Sequence, residues 1–149
     1  MISKILVPTD GSKAAQKAAR YAVDLAKQLK ASIFVLSIID KRWYMPLGIP
    51  ASKTVKHVPE TVDDYLREAA ESYAKEIKSL CEKNGIQSKI LITKGHPVDE
   101  IIKEAKRLKV SLIIMGSHGR SALETTVLGS VTYGVIHKDT KIPVMVVKE

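Results

Sequence analysis

The sequence predicts an α/β fold, an open five-stranded parallel sheet with helices on both faces. Two observations carry that expectation. Short, β-branched apolar runs alternate with longer amphipathic stretches along the 149 residues. The runs are also apolar almost throughout, as strands covered on both faces must be. Right-handed crossovers between successive strands then make the sheet parallel.

Each element has its own justification. Lys4 to Thr9 is a strand stopped by the turn Asp10-Gly11-Ser12. From Ser12 to Lys30, Ala15, Ala18, Ala19, Ala22, Leu25, Ala26 and Leu29 recur at helical spacing, and Ser12 suits the N-cap. Ser32 to Ile39 is too short for a core helix and reads as a central strand. Lys41 to Pro59 holds three prolines and a glycine and reads as a long mobile loop. Thr61 to Asn84 is a second long helix, with Val62, Tyr65, Leu66, Ala69, Tyr73, Ile77 and Leu80 expected inward and Asn84-Gly85 as its stop. Gln87 to Thr93 is a strand, and Pro97 to Leu108 a helix with proline in its first turn. Leu112 to Met115, Ser130 to Lys138 and Pro143 to Val147 complete the chain as strand, helix and strand.

Length and composition fit one domain spanning 1–149, with 45% hydrophobic and 27% charged residues. A lone cysteine, Cys81, excludes a disulfide scaffold or a multi-cysteine zinc site and fits a reducing cytoplasm. No apolar run approaches the length of a membrane span, and no signal-peptide layout opens the chain, so the expectation is a cytoplasmic protein with no membrane partner. The formal charge is +8, yet each half of the chain, divided after Lys75, carries 12 basic and 8 acidic residues. That even spread, with most lysines on solvated helix faces, argues against nucleic-acid binding and leaves the surplus as a background field for an anionic ligand.

In open α/β sheets, ligands bind beyond the carboxyl ends of the strands where strand order reverses. The most informative segment there is 116–130, which carries Gly116, Gly119 and Gly129 followed by Ser130. Gly116 and Gly119 allow positive φ and close approach of the backbone to a ligand, and Gly129-Ser130 stands at a helix start, where free N–H groups attract anions. The pattern suits a phosphate cradle, and equally a loop with helix-capping glycines. It is neither the dinucleotide fingerprint nor a P-loop. Asp10, ending the first strand, is a turn or cap acid by residue type. The histidines show no metal-ligand spacing, and no hydrolase nucleophile motif occurs.

With these motifs the chain resembles the universal stress protein family, in its ATP-binding branch, over its whole length. The spacing Gly116, Gly119, Gly129, Ser130 matches that branch at every fixed position. The opening Ile5 to Ser12, the strand end Ser37 to Asp40, the turn Gly95 to Pro97, the run Met115 to Gly119 and the close Pro143 to Val147 are similar to the same family. The resemblance implies strand order 3-2-1-4-5, the adenine nucleotide alpha hydrolase-like arrangement, with ATP, or ADP or AMP, as ligand. It implies Pro8, Thr9, Asp10 and Ile38 on the adenine and ribose side, Asp10 serving the ribose hydroxyls. Met115, Gly116 and Gly119 would line the ribose and first phosphate, and the backbone of Gly129, Ser130, Val131 and Thr132 the outer phosphates, with Ser130 and Thr132 hydroxyls adding donors. Arg120 and His118 lie in the loop over the phosphates, and Mg²⁺ would be held mainly by phosphate oxygens and water. The family also implies a homodimer through the last strand, Pro143 to Val147.

The function expected is a nucleotide-dependent regulatory or stress-response factor with an unidentified protein partner, at most slow ATP hydrolysis and no catalytic residue assigned. The alternative is an ATP-using enzyme, a hydrolase or nucleotidyl transferase, on the same fold. Such enzymes usually carry a Ser-Gly-Gly-x-Asp-Ser or His-x-Gly-His motif, and neither is present.

Overall fold

The structure is a computed structural model and describes residues 1–40, 62–119, 128–138 and 140–149. The expected loop at 41–59, and Arg120 with it, lie outside the described residues. The strands are β1 (Lys4–Thr9), β2 (Ser32–Ile39), β3 (Ser88–Lys94), β4 (Leu112–Gly116) and β5 (Val144–Val147). The described helices are α1 (Lys13–Leu29), α2 (Val62–Lys83), α3 (Pro97–Leu108) and α4 (Ser130–His137). The sheet is parallel throughout, with order β3-β2-β1-β4-β5. The expected architecture and strand order are therefore both observed.

Alternation along each strand feeds two cores. Ile5 and Val7, Ile33 and Val35, and Leu112 and Ile114 point to one face, where α1 brings Ala18, Ala22 and Ala26 and α2 brings Ala74, Ile77 and Cys81. Leu6, Leu36, Ile113 and Met115 point to the other, against Val98, Ile101 and Ala105 of α3 and Val135 of α4. The alanine row of α1 lets that helix lie close to the sheet, because small side chains shorten the distance between packed elements.

One expected face needs correction. The buried seam of α2 is Val62, Ala70, Ala74, Ile77 and Cys81, whereas Tyr65 is 53% exposed. The helix is rotated relative to the expected face, because two tyrosines and two leucines outweigh alanine and cysteine in an apolar pattern although the sheet accepts the smaller residues.

Ser12 caps α1 as expected, accepting from the Ala15 amide at 3.1 Å. The C-terminal residues after α1 and α3, Lys30 and Lys109, adopt left-handed backbone at φ 56° and 54°. Asp63 at the start of α2 pairs with Lys94 at the end of β3, tying that helix to the carboxyl edge of the sheet.

Candidate functional site

Strands β1 and β4 are neighbours, but from β1 the sheet grows toward β2 and β3, and from β4 toward β5. The connections leaving their carboxyl ends diverge and open a crevice. On the β1 side the chain turns at once into α1. Gly11 takes φ 79°, its amide donates to Thr9 Oγ1 at 3.2 Å, and the Ser12 amide donates to Asp10 Oδ1 at 3.0 Å. One carboxylate oxygen of Asp10 thus closes the turn, the role its residue type suggests. The absent side chain of Gly11 is replaced by the ring of Tyr73 from α2: a Cβ there would run into its Cε1.

On the β4 side the three spaced glycines are close-contact positions. A Cβ on Gly116 would lie 2.7 Å from the backbone of Ala14, and one on Gly119 would lie 2.7 Å from Asp10 Oδ2. A Cβ on Gly129 would lie 3.2 Å from His118 Cα and 3.3 Å from the Gly119 amide. Among the described glycines, positive φ occurs at Gly11, Gly85 and Gly95 and not at these three, so the expectation that Gly116 and Gly119 serve by backbone freedom is corrected. They serve by having no side chain where α1, Asp10 and the start of α4 converge.

Hydrogen bonds fix the rest of this wall. Ser117, 2% exposed, donates its amide to the Val147 carbonyl at 3.1 Å and accepts from the Gly129 amide at 2.7 Å. Its hydroxyl meets His118 Nδ1 at 2.9 Å. Thr132 Oγ1 donates to the Gly116 carbonyl at 2.8 Å. Two expectations change as a result: the Gly129 amide and the Thr132 hydroxyl are both engaged inside the protein.

The amides of Ser130, Val131 and Thr132, in the first turn of α4, have no acceptor within the helix, whose first internal bond runs from the Tyr133 amide to the Gly129 carbonyl at 2.9 Å. Gly129 supplies no side-chain cap, and that first turn carries no acid. Helices α2 and α3 each have two acids there, Asp63 with Asp64 and Asp99 with Glu100. Only α4 among the three therefore leaves its positive end uncompensated by its own side chains.

The remaining expected residues sit behind or beside this mouth. Pro8 and Thr9 are buried, and Met115 is 5% exposed and packed in the core shared with α3 and α4. Ile38 is half-buried, one residue past the last rung between β1 and β2, Thr9 opposite Ser37. Its backbone direction follows from the ladder. The Ser32 amide bonds Ser3 beside β1, and the Ile33 amide bonds Gln87 beside β3. In a strand paired on both sides, the side to which N–H and C=O point alternates with each residue. The Ile38 carbonyl and the Asp40 amide consequently point toward the β1 side, past the end of β1. Two residues were not marked as part of the site by the sequence: Tyr73, expected only on the inward face of α2, and Ser117, read only as part of the run Met115 to Gly119. Among the described residues, no group of three or more His, Cys, Asp and Glu side chains is arranged to hold a metal ion.

The description "Universal stress protein family" matches residues 1–148. The chain belongs to the universal stress protein family. Among curated universal stress proteins, MJ0577 of Methanocaldococcus jannaschii is 39% identical over 157 aligned positions, covering 99% of this chain and 96% of that one. A solved structure of MJ0577 superimposes with a TM-score of 0.82 at 34% identity, over 100% of this chain and 97% of that chain. A universal stress protein solved in complex with cAMP gives a TM-score of 0.70 at 22% identity, covering 98% of this chain and 97% of that one. One from Archaeoglobus fulgidus, in complex with dAMP, gives 0.67 at 17% over 98% of this chain and 97% of that one. At those identities the last two likenesses show the universal stress protein fold.

Proposed function

We propose that this universal stress protein binds ATP, or another adenine nucleotide, in the crevice between β1 and β4 and acts as a nucleotide-dependent regulatory factor. The observation that carries the reading is the start of α4, three amide donors with neither acid nor side-chain cap, beside a wall in which Gly116 lies against Ala14, Gly119 against Asp10 and Gly129 against His118. Such an end attracts phosphate through backbone N–H groups and the helix dipole. The donor set suits a polyphosphate. Asp10, fixed at one oxygen by the turn, serves the ribose hydroxyls.

The Ile38 carbonyl and the Asp40 amide offer an acceptor and a donor two residues apart, complementary to the exocyclic amine and the adjacent ring nitrogen of adenine. Guanine presents the opposite order at those atoms, so adenine is preferred. The family members solved with cAMP and dAMP supply adenine nucleotides as the ligand class. Mg²⁺ would be held by phosphate oxygens and water, with the protein contributing position. β5 is the edge of the sheet, and its pairing with a second copy across a two-fold axis completes the reading as a homodimer.

The test is calorimetric titration of the purified chain with ATP, AMP and GTP, alongside the variant Gly129→Glu. ATP and AMP should bind and GTP should bind far more weakly. The variant should abolish ATP binding by setting a carboxylate against the phosphates. Equal binding of ATP and GTP would overturn the base reading, and unchanged ATP binding in Gly129→Glu would overturn the phosphate site.

A further inference from the structure

Among the described residues, a set of basic side chains spread evenly along the chain gathers at one edge of the sheet. Helices α1, α2 and α3 all run back to the amino edge of the sheet, opposite the crevice. Their last turns bring Lys27, Lys83, Lys106 and Arg107 there. The strands open at the same edge beside Lys4, Lys89 and Lys141. Hydrogen bonds join this edge into one layer: Ser32 donates to the Ser3 carbonyl, Ser111 to that of Lys4, and Lys4 Nζ to that of Leu108. All of these basic side chains are exposed. Of the nearby acids, Glu82 pairs with Lys78 at 3.8 Å, and the buried Glu104 pairs with Arg107 at 2.7 Å, which leaves the lysines as the net charge of the edge.

Compensation of helix dipoles accounts for the lysines of the last turns. It does not account for those that open strands, nor for the backbone conformation of Lys30 and Lys109. These two occupy the left-handed position that follows a helix, where glycine is the usual residue because a Cβ is disfavoured. Both helices end on a lysine in that conformation and so extend the basic edge further outward.

We propose that this amino-edge face docks on an anionic lipid surface. Three observations favour a bilayer over nucleic acid. The face is almost all lysine, a point charge suited to a diffuse field, where arginine would supply the bidentate fork of phosphate and base recognition. It presents helix carboxyl ends, whose carbonyls oppose close phosphate contact, while the long lysine stems reach past them into a field that extends about 8 Å at physiological ionic strength. Leu29, 41% exposed between Lys27 and Lys30, supplies an apolar contact for the headgroup boundary. Among the described residues no helix is long and apolar enough to cross a membrane, and attachment of this kind needs none. The attachment is reversible and leaves the nucleotide crevice facing away from the bilayer.

The experiment is co-sedimentation of the full chain with vesicles of phosphatidylcholine, with or without phosphatidylserine, at low and physiological salt, with a random-sequence DNA duplex as competitor. Binding should require phosphatidylserine and weaken with salt. The double variant Lys30→Gly/Lys109→Gly relieves two left-handed backbones, so it should unfold at or above the wild-type temperature while losing about thirtyfold in vesicle affinity, roughly fivefold per lysine. Leu29→Ser should weaken vesicle binding and leave any DNA binding unchanged. The proposal fails if phosphatidylserine vesicles are not bound at low salt, if the folded double variant binds them like wild type, or if duplex DNA displaces them through the same lysines. ATP titration of the double variant should be unaltered, which keeps this result separate from that of the crevice.

Discussion

Glycine at 119 matters because of what stands beside it. The chain there has no positive φ, yet a Cβ would meet Asp10 Oδ2 at 2.7 Å. The spacing of the three glycines was legible in the sequence, but their reason was not. Spacing reports that a side chain is unwanted, and only packing shows whether conformation or contact forbids it. Gly119→Ala should accordingly fold with a stability loss of less than about 1 kcal/mol, because what its Cβ would meet is the end of a side chain and not a packed core. It should also push the Asp10 carboxylate away and reduce affinity for ATP more than for deoxy-ATP, since deoxy-ATP lacks one of the hydroxyls assigned to Asp10. Chemical denaturation and calorimetry read the two effects separately.

Elements carry the second kind of information. The 3.6-residue periodicity marked each helix, and β-branched runs marked each strand, with ends displaced by a residue or so. The Thr132 hydroxyl could not be read that way. From sequence it is a donor at a helix start, but folding brings the Gly116 carbonyl within 2.8 Å. Thr132→Val keeps the shape and leaves that carbonyl unsatisfied, at a cost of about 1–3 kcal/mol. Guanidinium unfolding should show the loss, whereas ATP affinity should fall little, because the Thr132 hydroxyl is engaged with the Gly116 carbonyl inside the protein. On α2, Cys81 is fully buried between helix and sheet, and that burial pushes its thiol above the ordinary value of 9.0. An acid whose folded pKa is raised favours folding below its unfolded pKa, and the contribution is lost as pH rises past it. Stability should therefore decline above about pH 9. Cys81→Ala should flatten that decline, and iodoacetamide should label Cys81 only once the protein is unfolded.

At the scale of the whole molecule, the edge strand sets what the protein can assemble into. The Ile113 amide bonds the Pro143 carbonyl and the Ser117 amide bonds that of Val147, so the odd residues of β5 face β4 and the even ones face outward. Val146→Pro removes one outward N–H and no rung of the β4 ladder. Light scattering should find the wild type as a dimer and this variant as a monomer with its fold retained. A wild-type monomer at high concentration would dismiss the edge-paired assembly.

Sequence by itself determined the kind and order of the elements, the parallel sheet with its 3-2-1-4-5 order through family resemblance, and the glycine-spaced loop as the segment to inspect. These are local properties: periodicity, turn chemistry and spacing act over a few residues and leave a linear record. Tertiary structure alone decided which groups are engaged and which face outward. Tyr73 fills the space at Gly11 from 62 positions along the chain, and Ser117 joins the last strand to the start of α4. Basic side chains spread evenly along the chain gathered at one edge of the sheet, because three helices return to that end. Distances between residues far apart in sequence depend on how all the elements pack together, and no local pattern encodes them.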